Sequence, residues 1–206
     1  MLKQNTMFAH SKRAESGDRV AYYCPQEPYI IMYDFFWNGS IADSRTSCNR
    51  FLTTAFNNEK EKNLALLPLN LYFFHDLLRL VAGAHTLYIK EELAAIPSVV
   101  ITPASFQKQV QQLGHTLNNS QHYPLYLTPV EWVCPRVVIK AFFTLHAAPM
   151  WEYLLHRLLQ STTGSQPILS VMPFCNTNLQ EECLLLRKLI EAAWVIRVLE
   201  LPAWED

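Results

Sequence analysis

The chain has 206 residues, of which 50% are hydrophobic, 12% aromatic and 17% charged, a composition that excludes overall disorder and suits one packed domain. Seventeen basic side chains against eighteen acidic ones leave a net charge of −1, so no global field draws the protein onto nucleic acid or an anionic membrane. Five glycines argue against P-loops, dinucleotide fingerprints and other glycine-rich cofactor cradles.

In chain order, residues 1–19 are polar and charged and read as a flexible N-terminal tail, leaving residues 20–206 as a single α-rich domain. Val20–Cys24 and Tyr29–Phe36 are β-branched and aromatic runs separated by Pro25 and Pro28, which predicts short strands or extended packing segments. Phe51, Leu52, Ala55 and Phe56 recur at helical spacing, so a helix is expected from Thr46 to about Lys60. Leu66–Gly83 and Thr86–Ile96 read as two helical segments joined near Gly83, forming a hairpin or one kinked rod, the second stopped by Pro97. Thr102 and Pro103 open a helix with Phe106, Val110 and Leu113 on one face and Gly114 at its C-cap.

Thr128-Pro129-Val130-Glu131 is a capping box, but Pro135 permits only a short turn before a second start at Arg136 and a helix through Leu145. Pro149 opens a helix carrying Trp151, Leu154, Leu155, Leu158 and Leu159, closed by the loop Ser161–Ser165; Ile168–Phe174 reads as a strand. Asn178-Leu179-Gln180-Glu181 caps a last helix to about Leu199. Leu179, Cys183, Leu186 and Ile190 line one side of it, and Leu185, Leu189, Ile196 and Leu199 another. Such a helix must be covered on more than one face, at the centre of the core or between core and interface. The expected class is mainly α, a compact single-domain helical protein with a minor N-terminal extended or β element.

Met1–Met7 contains no apolar run of signal-peptide length. Within the apolar stretch Leu64–Ala84, Asn70, His75, Asp76 and Arg79 oppose burial in lipid, which predicts a buried helix and not a membrane span. Cys24, Cys48, Cys134, Cys175 and Cys183 are odd in number and contain no CxxC pair, as expected of reduced thiols in a cytoplasmic protein.

Little in the chain assembles chemistry. His75 and Asp76 are adjacent, and adjacent helical positions point about 100° apart, so they form no dyad by themselves. No zinc-ligand spacing, Gly-x-Ser-x-Gly elbow or HExxH is present, and Cys134 beside Pro135 has no activating base in sequence; no metal or cofactor is expected. Arg79 followed by His85 resembles the Arg-x(4–6)-His spacing of the small helical HEPN ribonucleases, although the residues between them are apolar. Ile89–Ile96, a turn at Pro97-Ser98 and the helix from Pro103 resemble a helix-turn-helix, with Gln107, Lys108, Gln109, Gln111 and Gln112 able to read base edges. Lys108 is the only cation of the second of these helices, so nucleic-acid binding is the weaker alternative.

The order Tyr33-Asp34-Phe35-Phe36, Ser40-Ile41, Arg45, then Asn63–Pro68 before Tyr72-Phe73-Phe74, then Gly83-Ala84-His85-Thr86-Leu87 resembles the YscK-like family. These are small cytosolic accessory subunits of bacterial type III secretion sorting platforms. The match spans residues 33–113, with Phe35 where the family has proline. The resemblance implies a non-enzymatic helical adaptor linking the platform's pod protein to the cytoplasmic domain of the inner-membrane ring, and it assigns no contact residue. From the residues themselves, Trp204, Glu205 and Asp206 are the candidate partner contacts: an aromatic anchor and two acids beyond the helix-breaking Pro202. The alternative is that Trp204 docks on its own core.

Overall fold

The structure is a computed structural model that describes residues 28–37, 39–57, 60–90, 123–164, 168 and 179–200. Among them there is no strand. Seven helices are labelled here: α1 Pro28–Phe35, α2 Ile41–Phe56, α3 Lys60–Ile89, α4 Pro129–Val133, α5 Arg136–Leu145, α6 Ala148–Thr163 and α7 Leu179–Glu200. The mainly helical class holds. The N-terminal tail, Val20–Cys24, the helix from Pro103, most of the Ile168–Phe174 segment and the C-terminal Trp204, Glu205 and Asp206 lie outside the described residues.

The Tyr29–Phe36 run is helical for nearly all its length, which corrects the extended segment expected from its composition. Pro28 occupies the first helical position, where its missing N–H leaves no bond unmade. Met32 and Phe36, four residues apart, are both fully enclosed, so burial on one face overrides the strand preference of the individual residues. The buried guanidinium of Arg197 in α7 then locks the end of α1. It donates to the Phe36 carbonyl at 2.9 Å and lies 4.7 Å from the Tyr33 ring centre, with Trp194 at 5.4 Å.

The second helix begins earlier than apolar spacing predicts. Ser40 and Asp43 form a reciprocal capping box: the Asp43 carboxylate accepts from the Ser40 backbone N–H at 2.8 Å, and the Ser40 hydroxyl accepts from the Asp43 N–H. The helix ends at Phe56.

The two segments expected around Gly83 are one helix as far as Ile89, passing through Pro68 as well. Gly83 serves as a contact point. A Cβ built there would lie 3.0 Å from Cγ2 of Ile31, so the missing side chain lets α1 approach the α3 backbone. Ala65–Ile89 has the length and apolarity of a membrane span. In the fold, its stripe of Phe73, Phe74, Leu77, Leu80, Val81, Ala84 and Leu87 is buried, with α1, α2, α5 and α6 packed on α3.

The later helices follow the sequence, with one correction: Ser161–Thr163, expected in a loop, continue α6, where Ser161 and Thr162 are buried and their hydroxyls donate to the Arg157 and Leu159 carbonyls. Thr128 and Glu131 cap α4, Pro135 separates it from α5, and α6 buries Trp151, Leu154, Leu155 and Leu158. The Trp151 indole N–H donates to the Phe142 carbonyl at 2.9 Å, and its ring stacks on the Phe142 ring with centres 3.8 Å apart. In α7 every residue from Leu189 to Val198 is buried, which places the all-round apolar helix within the core. It packs against α1, α2, α4 and α5.

Candidate functional site

A groove of about 570 Å³ opens where α1, α2 and α3 meet. Asp34, Phe35, Trp37 and Gly39 close one end of it. Asp43, Ser44, Ser47 and Arg50 form the α2 wall, and Leu69, Tyr72, Phe73, Asp76 and Arg79 form the α3 wall. The α3 set repeats at i, i+3, i+7 and i+10 through Leu69, Tyr72, Asp76 and Arg79, one continuous stripe of the helix. Small side chains on α2 leave room between the walls. The rim is apolar and in water: Trp37 is 63% exposed, Tyr72 67% and Leu69 51%.

The charges of the groove differ in how they are engaged. Arg79 donates to Asp34 at 3.3 Å in a half-exposed pair. Asp43 is held by the Ser40 cap. Asp76 accepts no hydrogen bond among the described residues; burial raises its carboxyl above the ordinary carboxylate range, opposed by the charges of Arg79 and His75. Arg50 makes a long 3.4 Å bond to the Ser47 hydroxyl, and its Nε is covered with no partner among the described residues.

A smaller cavity of about 220 Å³ lies between α3 and α6, lined by Phe74, His75, Leu78 and Ala82 on one side and Glu152 and His156 on the other. The Phe74 ring packs edge-on against both imidazoles, with centres at 5.3 Å from His75 and 4.9 Å from His156. Arg79 borders both cavities.

The helix thus turns His75 and Asp76 into different cavities. Arg79 and His85 are also not brought together. Six residues on one helix set side chains about 120° apart; Arg79 faces Asp34, whereas the His85 ring lies 5.0 Å from Phe143 and 6.4 Å from Tyr88. Cys134 accepts from Arg136 Nε at 3.0 Å. No group of three His, Cys, Asp or Glu among the described residues is placed to share a metal ion. Gln107–Gln112 and Trp204, Glu205 and Asp206 lie outside those residues.

The strongest polar construction is internal. Glu191 of α7, fully buried, lies 2.9 Å from Arg45 Nε and accepts three backbone N–H groups, from Leu125 at 2.8 Å, Tyr126 at 2.6 Å and Leu127 at 3.2 Å. Arg45 also donates to the Tyr123 carbonyl. Burial pushes the Glu191 carboxyl up and the Arg45 guanidinium down, while their mutual attraction and, for Glu191, the amide bonds act the other way. This clasp fixes the segment leading into α4, and Lys188 adds a 2.6 Å pair to the capping residue Glu131. The clasp positions structure and faces no cavity described above.

Sequence reasoning missed Trp37, Arg50 and Tyr72 as surface features. The available signal was the mixed stripe on α3, where large apolar residues share a helix face with Asp76 and Arg79. Neither a scan of protein-family models nor searches of curated proteins and of solved structures match this chain.

Proposed function

We propose that the protein is a non-enzymatic adaptor that holds a partner protein in the α1–α2–α3 groove. The finer form of the proposal is a subunit of a bacterial type III secretion sorting platform, linking its pod protein to the inner-membrane ring. The observation that carries the adaptor reading is the rim: Trp37, Leu69 and Tyr72 stand in water around a concave surface backed by charged groups. Aromatic anchors around a depression with polar groups at hand are the composition of an interface centre. Asp34, Phe35, Tyr72 and Phe73, from the segments on which the family resemblance rests, line this same groove.

The test is affinity capture of the tagged chain from its native host at moderate salt, with and without nuclease, read by mass spectrometry. A stoichiometric, nuclease-insensitive protein complex is expected, lost on the combined substitution Trp37→Ala and Tyr72→Ala. Both side chains are mostly exposed, so the variant keeps its fold. Recovery of a pod or membrane-ring subunit supports the finer form. Absence of any co-purifying protein, or companions that disappear with nuclease, overturns the adaptor reading.

A further inference from the structure

We infer that the groove binds a segment of a partner protein that sets a lysine or arginine against Asp76, with apolar side chains on either side against Trp37 and Tyr72. This rests on the adaptor reading above and adds the chemistry of the bound segment.

The argument starts from charge. Asp34, near the end of α1, meets Arg79 of α3, and Phe51 of α2 meets Phe73 with ring centres 5.9 Å apart. The groove is lined by Asp34, Asp43 and Asp76 and by Arg50 and Arg79. Three carboxylates against two guanidiniums leave the lining net negative, and Arg50 is turned to the Ser47 hydroxyl. Two of the three are already engaged, Asp34 by Arg79 and Asp43 by the helix cap. Asp76 is the half-buried carboxylate left to a ligand.

Such a group favours a cation that brings its own hydrogen-bond donors, because a charge already partly removed from water gains most from a direct partner. The exposed indole and phenol add ring faces on which a cation or its alkyl stem can lie. A small-molecule ligand would be expected in a cavity that encloses most of its surface. Here the apolar area continues outward over the rim, which suits a longer segment whose neighbouring residues cover Trp37 and Tyr72.

The experiment is site-specific photocrosslinking in the native host with Tyr72→p-benzoylphenylalanine in the full chain, followed by sequencing of the linked peptide. The complex is then remeasured with Asp76→Lys and Asp76→Asn. The expected linked peptide carries Lys or Arg within one helical turn of apolar residues, and Asp76→Lys weakens the complex by about tenfold or more. Asp76→Asn, which preserves volume, weakens it less, and it keeps the test readable if the reversal disturbs folding. A complex that forms with no crosslink at position 72 overturns the groove as the partner's seat, and this inference with it, while an adaptor that binds through another face stands; an acidic linked segment, or unchanged affinity in both Asp76→Asn and Asp76→Lys, overturns the basic segment alone. Absence of any protein complex overturns both.

Discussion

At the residue scale, Glu191 joins an early helix to a late one through a single carboxylate. Replacing it with alanine leaves the Arg45 charge buried and three amides without their acceptor. Breaking a buried pair from one side costs about 3–5 kcal/mol, so Glu191→Ala should lower unfolding free energy by about that amount in urea titration. Adding Arg45→Met removes the stranded charge and should restore part of the loss. The recovery stays incomplete because the amides of Leu125, Tyr126 and Leu127 remain unpaired, at about 1–3 kcal/mol for each group left dry. A cost below about 1 kcal/mol for the single variant would show that water replaces the clasp. Nothing in the sequence pairs Arg45 with Glu191; each is one of several charges on its helix, and only tertiary packing brings these two together.

At the scale of elements, the boundaries written in local chemistry were legible. The capping box at Thr128, the stop at Pro135 and the start at Pro149 all act within a few residues of where they stand. What failed depended on distant partners. Tyr29–Phe36 reads as extended by residue type, yet Met32 and Phe36 are enclosed together by a helix. Gly83 reads as a break, yet the helix continues because Ile31 fills the space beside it. This contact yields a coupled prediction. Gly83→Ala gains about 1 kcal/mol of helix propensity but forces a methyl onto Ile31, an overpacking that costs about 1–3 kcal/mol. The expected net loss is about 1 kcal/mol by chemical unfolding. With Ile31→Ala the same glycine substitution should become stabilising. Equal effects in the two backgrounds would mean that α1 and α3 do not press on each other there. The groove was the least legible feature, because its walls come from three helices and its exposed rings differ in no sequence property from core rings.

At the scale of the whole molecule, α2 and α7 enclose two thiols that report on global opening. Burial pushes Cys48 up to about 12 and Cys183 up to about 11, with the nearby Arg187 pulling each back only in part. At neutral pH almost no thiolate is present, so alkylation needs the core to open. Pulsed iodoacetamide labelling, mapped by peptide, should show both residues reacting with the urea dependence of complete unfolding. Reaction of Cys183 at the rate of a free peptide thiol in native buffer would instead make the start of α7 a frayed end. The clasp of Glu191 also bears on how the chain is made. Arg45 leaves the ribosome long before Glu191 exists. At about 5–20 residues per second the guanidinium waits on the order of ten seconds for its counter-charge. During synthesis the face of α2 that finally meets α7 stays open, and the nascent chain offers chaperones a temporary binding site that the finished protein conceals.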